Sequence, residues 1–233
     1  MIDFLSSNAS HDIEDLGFAI LQDVLDPADI SPLLAALSDL QPHRSRAGIR
    51  HVLGHPAVNA VANDTRLLEI AGAALGNSAF PFRATLFDKS PDSNWLIAWH
   101  QDTALPLRER VETPGWGPWS VKDGVLYAHA PTSALTQVLA LRIHLDDSTE
   151  QNGPLRVLPG THACGVLSDE QVDQLLKQRQ PFTCLLAKGG VLAMRPLLIH
   201  ASSKSQVEAS RRVLHIEYAA SVEIGAGLRL AAA

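Results

Sequence analysis

The sequence predicts a mainly β fold with flanking helices, in which the body is a jelly roll. From about residue 80 onward, short β-prone segments alternate with Gly, Pro, Asn and Asp turns, which is typical of a β-sandwich or barrel. Before that point, apolar residues recur at helical spacing. We therefore expect one domain over residues 1–233, with a helical front over about 1–78 and a jelly-roll body over about 79–233.

One leading strand and three helices are expected around that body. The strand falls in residues 17–27, where "GFAILQDVLDP" is apolar before its Asp-Pro turn. The helices are predicted over 26–40, 64–75 and 168–179. Gly76 ends the second helix, and Ser168 begins the third as an N-cap that forms a capping box with Gln171.

Six segments of the body are predicted as strands. Each is short and is bounded by turn residues. The segments lie in FPFRATLFDK, WLIAWHQD, QVLALRIHLDD, GPLRVLPGTH, GGVLAMRP and RRVLHIEYAA.

Composition and charge exclude several classes of protein. The net charge of −6 offers no basic surface, so we expect neither nucleic acid nor a membrane as a partner. The sequence has no apolar run of about 20 residues and no signal-peptide pattern at its start. Two cysteines without a metal or disulfide spacing favour a cytoplasmic protein. We expect a monomer or a homodimer that acts on a small molecule.

A histidine and an acidic residue two positions apart recur in the predicted strands. Residues i and i+2 of a strand point to the same face, so H-x-D or H-x-E presents an imidazole beside a carboxylate. A second histidine from a distant strand would complete a metal triad that leaves three coordination positions open. The pairs are His100 with Asp102, His144 with Asp146, and His215 with Glu217.

The context of each pair favours the first one. No histidine follows His215, so that pair is interpreted as the polar face of a strand. Asp146 opens a turn-like segment, "DDSTEQNG". By contrast, His100 and Asp102 are followed by His200 at the end of an aliphatic segment and by Arg211, whose guanidinium suits a dicarboxylate.

The order of these segments resembles the phytanoyl-CoA dioxygenase family. The resemblance is carried by "GFAILQDVLDPADISPLLAAL", "LFDKSPDSNWLIAWHQD", "NGPLRVLPGTH" and "RPLLIHASS" with the following arginine. It implies a double-stranded β-helix, which is a cupin-like jelly roll. It also implies an Fe(II)- and 2-oxoglutarate-dependent dioxygenase that uses O2, releases succinate and CO2, and hydroxylates a small molecule.

The resemblance also assigns roles to individual residues. His100, Asp102 and His200 match the metal ligands. Arg211, rather than the adjacent Arg212, matches the arginine that binds 2-oxoglutarate, and Ser202 matches the serine two positions after the distal histidine. Because Asp102 is present, hydroxylation is expected instead of halogenation, for which relatives have a small residue at this position.

Four further residues are weaker candidates for the site. Gln101 is expected to face away from the metal, with a cofactor contact as the alternative. Arg142 either shares the cofactor cavity or forms a surface ion pair. The stretch 108–135 is too long for a hairpin loop, so we expect a lid or binding loop there. Its Trp116 and Trp119 either stack on the substrate or anchor the loop to the core.

Two other functions compete with the oxygenase. A cupin-like protein could bind a metal or a small ligand without turnover. A zinc hydrolase could use the same three ligands, but it would leave the pairing of Arg211 with Ser202 unexplained.

Overall fold

The computed structural model describes residues 3–38, 48–90 and 93–232, with side chains from residue 9 onward. Its helices are α1 (Asp3–Asp15), α2 (Pro27–Ser38), α3 (Pro56–Ala62), α4 (Thr65–Leu75), α5 (Thr132–Leu135) and α6 (Asp169–Gln178), with short 3₁₀ turns at Val52–Gly54 and Thr161–Cys164. None of these helices is long and apolar enough to cross a membrane.

The strands number thirteen in the described part of the chain. They are β1 (Phe18–Leu21), β2 (Ile49–Arg50), β3 (Phe80–Lys89), β4 (Ile97–His100), β5 (Ala104–Leu107), β6 (Trp119–Lys122), β7 (Val125–His129), β8 (Val138–His144), β9 (Leu155–Val157), β10 (Phe182–Cys184), β11 (Val191–Met194), β12 (His200–Ser202) and β13 (Arg211–Ala219).

The strands form three antiparallel sheets. The major sheet has six strands in the order β1-β11-β8-β13-β3-β2, and the minor sheet has four in the order β10-β9-β12-β4. A third sheet, β5-β7-β6, follows the minor sheet's last strand. The major and minor sheets enclose an apolar layer that includes Leu155, Leu192 and Met194. This is a mainly β, jelly-roll fold, as the sequence predicts.

Alternation along the major sheet separates its two faces. On β13, Leu214, Ile216 and Tyr218 pack against the helices in the largest apolar cluster. His215 and Glu217 have the opposite parity, so they point into the space between the two sheets. Both side chains are polar, and both are buried there. The interior of the jelly roll is therefore partly polar, and this is where the candidate site lies.

The predicted helix ends agree with the structure. Asp64 caps α4 by accepting a hydrogen bond from the Arg66 N–H, and Gly76 follows the last turn. Ser168 and Gln171 form the predicted capping box of α6. The predicted helix at 26–40 is α2, and residues 39 and 40 lie outside the described residues.

The expectation of a long loop over 108–135 is wrong. This stretch contains β6, β7 and the short helix α5. The two strands pair directly, with Lys122 opposite Val125 across a two-residue Asp-Gly turn. Asp-Gly favours the positive φ angles that such a turn needs, and the sequence offered this signal. Helix α1 was likewise not predicted.

Gly189 should be intolerant of substitution, because it has a φ of +89° and an added Cβ would lie 2.1 Å from the Leu25 carbonyl oxygen. We expect Gly189→Ala to lower the free energy of unfolding by about 2–5 kcal/mol through steric and backbone strain. Gly124→Ala is the matched control, since its φ is +82° but nothing lies within 4 Å of the added Cβ. It should cost only about 1–2 kcal/mol. Equal losses in urea denaturation would contradict the steric argument.

Candidate metal centre and cofactor pocket

Three side chains converge where the minor sheet ends. His100 is the last residue of β4 and His200 the first of β12, and the antiparallel register places them directly opposite each other. Asp102 follows two residues after His100, and its N–H donates a hydrogen bond to the Pro196 carbonyl at 2.9 Å. These are the only three residues in the described chain whose ligand atoms form a candidate metal cluster.

The geometry of this triad suits one divalent metal ion. The Nε2 atoms of His100 and His200 lie 3.6 and 3.5 Å from the Asp102 carboxylate oxygens. All three ligand atoms fall within 4.8 Å of one another. Two imidazoles and one carboxylate on one side of a metal form the facial triad of non-haem iron oxygenases. The donor set therefore fits Fe(II).

The backbone fixes both imidazole rings in the orientation that a metal requires. Nδ1 of His100 hydrogen-bonds the Ala98 carbonyl at 2.9 Å, and Nδ1 of His200 hydrogen-bonds the Leu198 carbonyl at 2.8 Å. A carbonyl only accepts, so each Nδ1 carries the proton and donates it. Each Nε2 lone pair is then free for a metal.

Burial and charge set the protonation states of the triad. Desolvation lowers the pKa of His200 to about 4, so this ring is neutral near pH 7. Desolvation alone would raise the pKa of Asp102, but His200 and His100 outweigh it and hold that pKa well below its usual range. The site opens on one side, since His100 and Asp102 are 40% and 36% exposed whereas His200 is 5% exposed.

A cavity of about 140 Å³ adjoins the triad. Lys89, Ser202 and Arg211 line one end of it, and all three are buried. Lys89 and Arg211 are cross-strand partners on β3 and β13, so their side chains enter the cavity side by side. This end of the cavity is cationic.

Arg211 keeps hydrogen-bonding capacity for a ligand. Its Nε donates to the Asn152 carbonyl at 3.2 Å, whereas its buried Nη1 has no partner among the described residues. Burial lowers its pKa to about 10, which leaves the guanidinium charged near neutrality. A buried donor without an acceptor is costly, and a ligand carboxylate would satisfy it. Arg212 points away and forms an ion pair with Asp146 at 2.8 Å.

Lys89 is a cavity residue that sequence reasoning missed. It is 1% exposed, and its Nζ donates to Ser202 Oγ at 2.8 Å and to the Ser203 carbonyl. Desolvation, together with Arg211, lowers its pKa to about 7. The sequence did contain one signal for this role. Lys89 ends a predicted strand, and it has the same parity as the residues of β3 that point inward.

Arg142 also lines the cavity. Its Nη1 donates to Nδ1 of His215 at 3.1 Å, while its Nε is buried without a partner in the described chain. Its guanidinium lies 5.3 Å from the Phe87 ring centroid. Because it is 7% exposed, it is not part of a surface ion pair.

Gln101 lies between two of the ligands but outside the cavity lining. Its Nε2 donates to the Leu197 and Gly165 carbonyls at 2.7 and 2.9 Å, and its Oε1 accepts from the Leu167 N–H at 2.9 Å. All of these partners are backbone groups. Its side chain thus holds three loops together around the triad.

The two candidate tryptophans belong to another part of the molecule. Trp116 and Trp119 are partly buried and pack against the apolar cluster around β5 and β7. Neither lines the cavity, and the Arg110 guanidinium lies 5.7 Å from the Trp119 ring centroid.

In the other two histidine–acid pairs, the histidine and the acidic residue do not share a common partner. His215 accepts from Arg142, and Glu217 forms a short ion pair with Arg83. Both ring nitrogens of His144 are buried without a partner in the described chain.

Fold and site together define a jelly-roll protein with a non-haem metal triad. The chain belongs to the phytanoyl-CoA dioxygenase family, whose family model matches residues 13–213. The resemblance in the sequence is thereby confirmed.

Individual relatives are distant. The chain is 24% identical over 176 residues to ectoine dioxygenase of Bordetella bronchiseptica, which covers 69% of this chain and 50% of the relative. It is 28% identical over 103 residues to L-proline trans-4-hydroxylase of Streptomyces griseoviridis, covering 44% of this chain and 31% of the relative. The chain thus spans half or less of the length of these curated relatives.

A solved structure supports the fold over almost the whole chain. EctD from S. alaskensis, crystallised with 2-oxoglutarate and 5-hydroxyectoine, is similar with a TM-score of 0.72 at 18% identity. The match covers 94% of this chain and 77% of that one. At this identity the likeness shows the fold alone.

Acid should destabilise the protein partly through His144, which is 1% exposed. Desolvation lowers its pKa from 6.5 to about 3 in the folded protein, so between these values the unfolded chain binds more protons. Stability is therefore lost as the pH falls below about 6.5. Between about pH 7.5 and pH 5, wild type should lose about 2 kcal/mol more than His144→Gln in urea unfolding.

The control for this pH experiment is His11→Gln, which changes an exposed histidine of α1. It should follow the wild-type pH profile. A His144→Gln profile parallel to wild type would contradict the assignment.

Proposed function

We propose that the protein is an Fe(II)- and 2-oxoglutarate-dependent dioxygenase that hydroxylates a small molecule. One observation carries the proposal: a facial triad and a buried arginine with an unsatisfied Nη1 border the same cavity. The names of the relatives, a dioxygenase and a hydroxylase, support the same activity.

His100, Asp102 and His200 would hold the metal. When bound, Fe(II) and 2-oxoglutarate supply the oxidising chemistry, which uses O2, releases succinate and CO2 and hydroxylates the substrate. The two Nδ1–carbonyl hydrogen bonds keep the imidazoles aimed at the metal. The Asp102 carboxylate partly offsets the charge of the ion.

Arg211, Lys89 and Ser202 would bind the far carboxylate of 2-oxoglutarate. Arg211 offers the donor that lacks a partner, and Lys89 adds a second cation beside it. The Ser202 hydroxyl is oriented by two hydrogen bonds: it accepts one from Lys89 Nζ and donates one to the Gly153 carbonyl at 2.8 Å. A carboxylate bound there would favour the charged form of Lys89 beside Arg211, so this end of the cavity suits a dianionic ligand better than a neutral one.

Arg142 is proposed as an electrostatic neighbour of the bound cofactor, because its Nε also lacks a partner in the described chain. Gln101 is proposed to position the ligand loops without touching the cofactor. The packing of Trp116 and Trp119 favours the core-anchoring role over a substrate contact.

The cellular context is also a proposal. Cys164 is exposed and Cys184 buried, and both are free thiols. This agrees with a cytoplasmic protein. We propose a monomer or a homodimer with a small-molecule substrate.

Calorimetric titration of 2-oxoglutarate into anaerobic, Fe(II)-loaded protein tests the cofactor assignment. Wild type should bind, and Arg211→Ala should lose about 2–5 kcal/mol of binding free energy because a buried charged contact disappears. Arg212→Ala is the matched control, since Arg212 pairs with Asp146 outside the cavity. Absence of wild-type binding at confirmed metal occupancy would favour a binding protein without turnover.

Asp102→Ala should abolish 2-oxoglutarate turnover while the fold remains intact. The variant removes the only carboxylate of the triad and leaves two imidazoles, which hold Fe(II) poorly. Succinate release measures the loss, and circular dichroism checks the fold. Turnover at the wild-type rate would refute the ligand assignment.

A further inference from the structure

A buried histidine that the proposed cofactor contacts do not use also borders the cavity. His215 is 4% exposed, and it lines the cavity together with the three residues of the triad. It lies near the middle of the major sheet, because β13 is flanked there by β8 and β3. Within the described chain its ring forms one hydrogen bond, at Nδ1, so Nε2 has no partner. A buried polar atom without a partner is costly, and Nε2 is therefore a candidate for a ligand contact.

Arg142 determines which ring nitrogen of His215 carries the proton. The two residues are cross-strand partners on β8 and β13, and Arg142 Nη1 lies 3.1 Å from Nδ1 of His215. A guanidinium has donors but no acceptor, so Nδ1 must accept this hydrogen bond and cannot itself be protonated. The proton of the ring is then on Nε2. His215 therefore offers an N–H donor at the tip of its ring.

Packing against Phe87 holds this ring in place. The rings of Phe87 and His215 meet edge to face, with their centroids 5.7 Å apart, and the Arg142 guanidinium lies 5.3 Å from the Phe87 centroid. Each of the three side chains thus contacts the other two. Glu217, the next inward residue of β13, forms its ion pair with Arg83. The Nε2–H group is therefore fixed in position and still free to donate.

Strand register separates His215 from the cationic end of the cavity. Arg211 pairs with Lys89 at one end of the β13–β3 ladder, and His215 follows four residues later, about 13 Å along the strand. On the minor sheet, Ser202 contacts Lys89 at that same cationic end, and the triad residue His200 lies two positions before it. A ligand that binds Arg211 and extends to the triad would therefore run through the cavity that His215 lines.

The two ends of 2-oxoglutarate need different donors. Its far carboxylate is proposed to bind Arg211, Lys89 and Ser202. Its other end is an α-keto acid, whose carboxylate and keto oxygens are all acceptors. A chelated metal uses one oxygen of each group, so the second carboxylate oxygen is left for a protein donor. A hydrogen bond to a carboxylate is charge-assisted and is stronger than one between neutral groups. The Nε2–H of His215 is a donor of this kind.

We propose that His215 donates a hydrogen bond from Nε2 to the α-keto acid end of 2-oxoglutarate. Arg142 is the positioning residue, since its hydrogen bond to Nδ1 fixes the tautomer that can donate. This inference rests on the proposed oxygenase function and adds a contact at the opposite end of the cofactor from Arg211. The sequence pair of His215 with Glu217 is then not a metal site, but its histidine still serves the cofactor.

The visible charge-transfer band of anaerobic protein with Fe(II) and 2-oxoglutarate tests the proposal, because an α-keto acid must chelate the metal to produce it. Titration of 2-oxoglutarate followed by this band gives both the affinity and the position of the band. His215→Phe should weaken binding about ten- to a hundredfold and shift the band, since a charge-assisted hydrogen bond to the chelating end is lost. His215→Gln, whose amide N–H can replace Nε2–H, should stay close to wild type in both.

Pyruvate distinguishes the two ends of the cofactor, because it has the α-keto acid end but no far carboxylate. His215→Phe should weaken the binding of pyruvate by the same factor as that of 2-oxoglutarate. Arg211→Ala should weaken 2-oxoglutarate and leave pyruvate unchanged.

A double-mutant cycle tests the positioning role of Arg142. Arg142→Met should weaken 2-oxoglutarate binding in the wild-type background and weaken it less in the His215→Phe background, because part of its effect acts through His215. Arg142→Lys, which can still donate to Nδ1, should restore the position of the band. Equal losses in the two backgrounds would contradict the role of Arg142.

Circular dichroism and thermal unfolding check the fold of each variant, and His215→Leu replaces His215→Phe if the larger ring is not tolerated. A purely structural role of His215 would change stability and leave the band in place. The proposal is overturned if the donor-free variants keep wild-type affinity and an unshifted band, or if pyruvate binding is unaffected. If wild type itself does not bind 2-oxoglutarate at confirmed metal occupancy, the oxygenase function is contradicted instead.

Discussion

Side-chain alternation along β3, β8 and β13 is the constraint on which the rest of the molecule depends. On each of these strands, every second side chain is apolar and packs against the helices. The side chains between them face the interior, and several of these are charged. Because the strand period is two, a register shift of one residue would exchange the faces. The apolar attachment of the helices thereby fixes the orientation of Arg211, Arg142 and Lys89. The packing of the helices on one face of the sheet therefore determines which side chains enter the cavity on the other face.

Local signals accounted for much that the sequence revealed. Ser168 with Gln171 and Gly76 mark helix ends through interactions within one turn, so a single sequence contains them. The H-x-D spacing of His100 and Asp102 is equally local. His200 and Arg211 were found because they stand at strand boundaries in an order that the family resemblance supplied. The resemblance also favoured Arg211 over Arg212.

The missed features depend on contacts between distant strands. Lys89 enters the cavity only because β3 pairs with β13, and nothing next to it in the sequence indicates that neighbour. The guanidinium of Arg83 lies over the Tyr127 ring because β7 brings the two together, although Arg83 is 44 positions earlier in the chain. The β6–β7 hairpin differs, since its Asp-Gly turn was visible but was outweighed by the length of the stretch around it.

The unequal exposure of the triad has a consequence for the metal's exchange with solution. His200 is sealed in the minor sheet, while the side of His100 and Asp102 faces the opening. The rings are already locked in their ligating tautomer, so ion entry requires little reorganisation. An ion can leave by the same route. The bound iron would thus be a labile, exchangeable one, accessible to chelators, and its occupancy would follow the free iron concentration around the protein.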